Sequence, residues 1–331
     1  MVTLGLETSC DETAAALHDS GSRSFTEKIA RQFATHAPYG GVVPELASRC
    51  HLETVSGLVH AVCAEASVPL DAVDVIAATN GPGLAGALIV GLCYGKALAF
   101  SIGKPFVAVN HIEAHMYAAC AETEIPFPFL SLVVSGGHTM LADISGMRAY
   151  RIVGRTRDDA AGEAFDKGAK LLGLGFPGGV AIEQAGQGGR ADAYQFPRGM
   201  AHDETLDFSF SGLKTALLYF TQKHPGAPLA DVAASYQEAV VDILVTKTLR
   251  AAESLGRRTI VVGGGVSANA RLRALLTSAA GQRGIRVVFP SFALCTDNAR
   301  MIAYRGSVLF AERGADDFSI DITPTFHPSA S

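Results

Sequence analysis

The sequence predicts an α/β protein made of two similar halves with a cleft between them. Three observations carry this expectation. A strand, a polar turn and further strands open the chain, and the same order returns from Phe129. A strand that runs into a glycine loop and then a helix occurs once in each half, at Val73–Gly83 and at Thr259–Asn269. No long linker interrupts the chain, and Pro126-Phe-Pro128 is the best boundary. The expected lobes are 1–125 and 126–331, with the last helix able to pack back on the first lobe.

Taken in order, Val2, Leu4 and Leu6 alternate with Thr3, Gly5 and Glu7, the pattern of a half-buried strand. The turn Thr8-Ser-Cys-Asp-Glu-Thr13 follows, then strands at Ala14–Leu17 and Phe25–Ala30. Such a turn can offer N–H and O–H groups to a phosphate or carboxylates to a metal ion, and a plain hairpin loop has the same composition. Pro44 starts a long helix in which Val55, Leu58, Val59 and Val62 share a face. Val73–Ala78 is a strand leading through Asn80-Gly-Pro-Gly83 into a helix of small apolar residues, and Phe106–Val109 is the next strand.

In the second half, Phe129–Val134, Met140–Ile144 and Tyr150–Val153 are strands, the first broken at Ser135-Gly-Gly-His-Thr139. Asp158–Lys167 reads as a polar helix that Asp158 or Asp159 can cap, with Asp159, Glu163 and Asp166 or Lys167 on one charged face. The loop Leu206–Lys214 leads into another helix, its aromatics expected in the core and its serines at caps. Thr259–Val262 runs into Gly263-Gly-Gly-Val-Ser-Ala-Asn269 and a helix bearing Arg271 and Arg273. Both glycine loops suit a nucleotide phosphate or sugar held close to backbone. Neither fits the dinucleotide fingerprint or the Walker loop. After a last strand, Arg286–Phe289, comes Cys295-Thr-Asp-Asn298 and a final helix. Asp297 can cap that helix or act as a metal-binding carboxylate, and the pattern leaves both open.

Composition narrows the function. With 331 residues, 48% of them hydrophobic and 18% charged, a large core is easily built. The net charge of −5 argues against a protein that grips nucleic acid unaided, since phosphate neutralisation needs clustered Lys and Arg. Arg250, Arg257, Arg258, Arg271, Arg273, Arg283 and Arg286 gather late in the chain as either a local basic face or a solvated helix surface. The 6 cysteines include no Cys-x-x-Cys pair, and the N-terminus enters a strand at once, so a reduced cytosol without a leader is the expected compartment. The apolar run Leu84–Tyr94 is too short to span a bilayer.

The chemistry is most visible in His111-Ile-Glu-Ala-His115. Two histidines four apart on a helix share a face and can share a metal, although two ordinary histidines show the same spacing. The zinc-protease motif places its glutamate directly after the first histidine. Here that position is Ile112, and Glu113 points about 200° away from His111 at about 100° per residue. The metal is therefore expected to hold a substrate, not to activate water for peptide cleavage.

Taken together, these motifs resemble the bacterial branch of the universal tRNA threonylcarbamoyl-adenosine synthesis family, TsaD. The resemblance rests on Gly5–Thr13, Tyr39–Ser48, Gly81-Pro-Gly83, His111–His115, Val134–Thr139, Asp158–Lys167, Asp207–Lys214, Gly264–Asn269 and Cys295–Asn298, and it covers nearly the whole chain. It implies a duplicated two-lobed actin-like (ASKHA, RNase H-like) α/β fold with an interlobe cleft. It implies that His111, His115 and Asp297 bind iron(II), or zinc, one ion per subunit. It implies that Val133, Val134, Ser135, Gly136, Gly137, Asp166, Gly179, Glu183 and Asn269 contact an adenylate substrate or ATP/ADP, and that Asp11 and Glu12 are acidic residues of the catalytic site. The chain departs from the family pattern at Val180, Glu183 and Arg300.

The implied reaction is acyl transfer in the cytoplasm, away from membranes. The threonylcarbamoyl group would pass from threonylcarbamoyl-AMP to the exocyclic amine of the adenosine 3′ to the anticodon in tRNAs reading ANN codons. A separate synthase would make the donor, and a TsaB-like paralogue and a TsaE-like ATPase would be partners. No Ser-His-Asp or Cys-His set is evident, so direct transfer without a covalent enzyme intermediate is expected. Two other readings fit parts of the pattern: a metal-dependent glycoprotease, and an actin-like ATP-binding kinase or module.

Overall fold

The computed structural model describes residues 1–39 and 41–326; Gly40 of the Tyr39–Ser48 motif and the last five residues of the expected second lobe lie outside them. The chain forms two compact units. One comprises Met1–Glu124 together with the segment that begins at Asp297, and the other comprises Ile125–Thr296.

In the first unit the order is β1 (Val2–Glu7), β2 (Glu12–Asp19), β3 (Ser24–Arg31), α1 (Phe33–His36), α2 (Pro44–Ala66), β4 (Val75–Gly81), α3 (Ala85–Ser101), β5 (Phe106–Asn110) and α4 (His111–Tyr117). The second unit contains β6 (Phe129–Val134), β7 (Thr139–Ile144), β8 (Tyr150–Arg155), α5 (Ala161–Leu171), α6 (Gly178–Ala185), α7 (Ser211–Lys223), α8 (Leu229–Ser254), β9 (Thr259–Gly263), α9 (Ala270–Gly281) and β10 (Arg286–Val288). The last helix, α10 (Ala299–Arg313), belongs to the first unit.

The two sheets share one topology. The first runs β3-β2-β1-β4-β5 and the second β8-β7-β6-β9-β10. In each, three antiparallel strands come from consecutive hairpins and two parallel strands follow helical crossovers. The duplicated strand–turn–strand pattern of the sequence is therefore a duplicated mixed sheet. Each unit has its own core, around Leu4, Leu6, Val59, Ile76 and Phe106 in the first and around Leu132, Phe165, Phe208, Tyr236 and Ile260 in the second.

One strand departs from the alternation read in the sequence. β1 is not half-buried: from Thr3 to Glu7 both faces are covered. α10 closes the second face, so tightly that a Cβ on Gly5 would lie 2.4 Å from the Ala303 nitrogen. The alternating polar residues of β1 thus point into a helix, not into water. That places Glu7 at full burial.

Two local expectations change as well. Asp158 and Asp159 do not cap α5, whose N-cap is Ala160. Asp158 instead accepts from the Phe210 and Ser211 amides, at 2.8 and 3.2 Å, and from the Ser209 and Ser211 hydroxyls, at 2.6 and 2.8 Å. It therefore caps α7 from a distant part of the chain and fixes the Asp207–Lys214 motif, while Phe208 and Phe210 enter the core as expected. The first glycine loop is not free for a ligand at Gly81. A Cβ there would fall 1.9 Å from the Thr323 carbonyl, and the Thr323 amide donates to the Asn80 carbonyl at 2.7 Å. The chain's own C-terminal segment occupies that close approach.

A buried histidine gives the fold a pH dependence. His18 on β2 packs against Phe25 and Tyr304, with ring centroids 4.4 and 5.8 Å away. Burial pushes its pKa down to about 4. Since the unfolded side chain titrates near 6.5, its contribution is complete above that pH and is lost as pH falls toward 4. Between these limits His18→Phe is expected to remove about 2 kcal/mol of the pH-dependent loss of stability, allowing for screening. Melting curves across pH 4–7 measure this, and equal slopes for the two proteins would rule out the assignment.

Candidate metal centre and substrate pocket

The Asn110 side chain ends β5 and starts α4 by accepting from the Ile112 and Glu113 amides at 2.9 and 3.1 Å. That cap sets His111 as the first helical residue, and His115 follows one turn later on the same face. Both imidazoles are buried. They meet edge to face, with centroids 4.7 Å apart and planes at 89°.

Asp297 closes the group from the other end of the chain. One of its carboxylate oxygens, Oδ1, lies 3.4 Å from His111 Nε2 and 3.3 Å from His115 Nε2. The cap of α10 is not Asp297 but Asn298, whose side chain accepts from the Met301 amide at 2.9 Å. With capping done by its neighbour, the Asp297 carboxylate is left to face the two histidines. The three donor atoms lie within 4.8 Å of one another, and among the described residues this is the one group of three His, Cys, Asp or Glu side chains that could hold a metal ion. Two imidazoles and a carboxylate are a donor set that iron(II) and zinc both accept.

The electrostatics match that use. Burial alone would raise the Asp297 pKa, but His111 and His115 outweigh it and hold the carboxyl far below the usual range. Burial disfavours a charged His111, but the Glu7 and Asp297 carboxylates outweigh that and hold its pKa well above the ordinary value. His115 is shifted down by burial. A divalent ion at this point would replace protons as the partner of the carboxylate.

Glu7, which the sequence pattern placed on a solvent face, sits against this group. His111 Nδ1–H donates to Glu7 Oε2 at 2.9 Å. Ser9 Oγ lies 3.3 Å from the same nitrogen. The signal available in the sequence was the small residue Gly5 two positions before Glu7, which permits a helix to cover that face.

Glu113 points away from the histidines, as the helical geometry requires. Its carboxylate pairs with Arg305 of α10 at 3.0 Å. The Arg305 guanidinium lies 4.4 Å from the centre of the Tyr117 ring. A glutamate engaged in this way is not a base for a metal-activated water.

Asp11 ends the turn between β1 and β2 and Glu12 begins β2, and neither is among the three converging donors. Burial, with the charges of Asp297 and Asp11, pushes the Glu12 carboxyl up to about 8.

In the second unit a pocket of ≈ 280 Å³ is lined by Gly136, Asp166, Gly179, Glu183 and Asn269, with Thr296 among its other walls. A Cβ on Gly136, Gly179 or Gly265, all pocket residues, would meet nothing within 4 Å. These glycines leave backbone exposed to the pocket. The remaining expected contacts lie elsewhere: Val133 and Val134 are buried in β6, and Ser135 and Gly137 belong to the turn after it. Ser135 Oγ accepts from the His138 amide at 3.1 Å, which tightens that turn.

Pocket carboxylates are already in use. Asp166 accepts from the Gly178 amide at 2.7 Å, and burial shifts its pKa up. Glu183 accepts from the Ala270 amide at 2.9 Å and from Asn269 Nδ2 at 3.3 Å. Asn269 also caps α9 by accepting from the Leu272 amide at 2.9 Å. The α9 N-terminus, read from sequence as a phosphate seat, therefore already carries a carboxylate. Of the other departures, Val180 is an exposed pocket wall, and Arg300 pairs with the buried Glu27 at 2.8 Å. Three of the seven late arginines are in ion pairs, Arg257 with Asp143, Arg271 with Glu238 and Arg283 with Glu253, which reduces the net positive charge of that region.

Two mixed five-stranded sheets of one topology, with a His-His-carboxylate donor group, define an actin-like α/β protein with a candidate metal centre. The fold is shared with HypF from T. kodakarensis (TM-score 0.62, 13% identity, covering 94% of this chain and 48% of that one). It is shared also with component A of the (R)-2-hydroxyglutaryl-CoA dehydratase of Acidaminococcus fermentans (TM-score 0.56, 13% identity, 94% and 99% covered). The profile of the TsaD family, tRNA N6-adenosine threonylcarbamoyltransferase, matches residues 24–304. A protein of that name from Geobacter sp. (strain M21) is 49% identical over 98% of this chain and 96% of its own length. Another from Anaeromyxobacter sp. (strain Fw109-5) is 52% identical over 97% and 98%. The chain belongs to the TsaD family of tRNA N6-adenosine threonylcarbamoyltransferases. Among the described residues no helix is long and apolar enough to cross a membrane.

Proposed function

We propose that this chain transfers the threonylcarbamoyl group from threonylcarbamoyl-AMP to the N6 amine of the adenosine 3′ to the anticodon in tRNAs reading ANN codons. The observation that carries the metal-dependent form of this reading is the convergence of His111, His115 and Asp297 within 4.8 Å. These residues would hold one iron(II), or zinc, per subunit. When bound, the ion supplies Lewis-acid polarisation of an acyl or phosphate oxygen.

In the reaction the amine nitrogen forms a bond to the carbamoyl carbon. The carbon–oxygen bond to the phosphate breaks, AMP leaves with that electron pair, and the amine loses a proton. The amine is a poor nucleophile because its lone pair is delocalised into the ring. Positioning and stabilisation of charge must therefore provide most of the rate. The pocket lined by Gly136, Asp166, Gly179, Glu183 and Asn269 takes the adenylate, or ATP/ADP, with open glycine backbone against it. Val133, Val134, Ser135 and Gly137 support this wall from β6 and its turn. Asp11 and Glu12 are the acid–base candidates, and a carboxyl at about 8 can exchange a proton near neutral pH.

The net charge of −5 supports weak tRNA binding by the chain alone and a need for a TsaB-like paralogue and a TsaE-like ATPase in the cytoplasm. The test is an assay with tRNA, threonine, bicarbonate, ATP, the donor synthase and these partners. Modified adenosine should form only when this chain is present. Equal product without it, or metal-dependent peptide cleavage by the chain alone, would overturn the reading.

A further inference from the structure

We infer that Glu7 is a positioning residue that locks His111 as the dominant metal ligand and leaves His115 the weaker one. The inference rests on the proposed metal-holding role of His111, His115 and Asp297.

The two imidazoles face the same carboxylate but have different support. Behind His111, Glu7 Oε2 accepts the Nδ1–H at 2.9 Å. Glu7 is itself fixed: the Thr79 hydroxyl donates to Oε2 at 2.7 Å, and the Ser9 amide donates to Oε1 at 2.5 Å. The glutamate is 0% exposed and Thr79 1% exposed, so water does not compete for these bonds. With a proton held on Nδ1 by Glu7, Nε2 is the nitrogen that faces Asp297 and the one that would be offered to an ion there. A carboxylate behind a ligating imidazole fixes its tautomer and ring orientation and increases its donor strength.

His115 lacks this support. Its Nδ1 is buried and has no hydrogen-bond partner among the described residues. Apart from the Asp297 contact at its Nε2, its ring is placed by α4 and by packing. The asymmetry begins in the sequence, because Glu7 ends β1 and Thr79 stands near the end of β4, the parallel neighbour of β1. Both project to the end of β5 where α4 begins. Among the described residues no carboxylate accepts from the Nδ1 of the second histidine.

The test measures zinc(II) affinity of the full chain by competition with a chromophoric chelator at fixed pH, independent of catalysis. Glu7→Gln keeps the shape but removes the charge and is expected to weaken binding about 10–100-fold, the usual effect of losing such a partner. Thr79→Val, which loosens Glu7 without removing it, is expected to weaken binding a fewfold and serves if Glu7→Gln does not fold. The decisive arm is a double-mutant cycle. In a His111→Ala background, Glu7→Gln should have almost no further effect, whereas in a His115→Ala background it should keep its full effect. Unchanged affinity in Glu7→Gln, or the same loss in the His111→Ala background, would overturn the inference. If His111→Ala itself leaves affinity unchanged, the metal-holding reading fails instead.

Discussion

Asp297→Ala is expected to lower the rate of adenosine modification by about a thousandfold and to remove the bound metal. Its Oδ1 sits between the two imidazoles at 3.4 and 3.3 Å, and no other carboxylate converges with them in the same donor group among the described residues. A Lewis acid contributes several kcal/mol of charge stabilisation in such reactions, and each 1.4 kcal/mol is tenfold in rate. The rate should be read at saturating donor and tRNA, with metal content determined on the same sample. Asp297→Asn keeps one neutral oxygen donor and should fall between the wild type and the alanine variant. An alanine variant with full metal content and a rate within a fewfold of wild type would contradict the assignment.

The largest effect on stability is expected at Arg305. Its side chain is 1% exposed, pairs with Glu113 at 3.0 Å and packs on Tyr117, and its Nε and Nη1 have no hydrogen-bond partner among the described residues. Arg305→Ala leaves Glu113 without its guanidinium partner and opens a cavity between α4 and α10, a loss of about 3–5 kcal/mol. Replacing both members, Arg305→Met with Glu113→Gln, should recover most of that loss, because desolvation of an imperfectly satisfied ion pair offsets much of its attraction. Denaturant titration of the three proteins measures it. Equal destabilisation of the single and double variants would show that the arginine acts through packing alone. The pair also ties the helix carrying both histidines to the helix that follows Asp297, so the single variant should bind metal more weakly as well.

Both predictions depend on residues that the sequence revealed unequally. The repeated strand–turn–strand and strand–glycine–helix patterns were legible because period-two alternation and glycine clusters are local signals. The His111–His115 pair was legible for the same reason: a four-residue spacing on a helix fixes a shared face. Asp297 was not decidable locally. An aspartate at a helix start is ordinarily a cap, and only the structure shows Asn298 taking that role. Glu7 was misplaced because alternation in β1 reports one covered face and is silent about a second layer. Burial by α10, some three hundred residues later, is a tertiary fact. Asp158 is a similar case: its position before a helix suggested a local cap, but its bonds run to the start of α7, about fifty residues away. The glycine loops show the limit of motif reading, since the chain's own backbone or a carboxylate occupies positions that a phosphate would also suit.

One ion shared by His111, His115 and Asp297 is the expectation on which the proposed chemistry depends. X-ray absorption on protein purified without oxygen, with metal content determined in parallel, tests this most directly. The expected result is one iron or zinc per chain, bound by nitrogen and oxygen at about 2.0–2.2 Å, and lost in the His111→Ala/His115→Ala variant. Sulfur in the coordination shell, or full metal content in that variant, would contradict it.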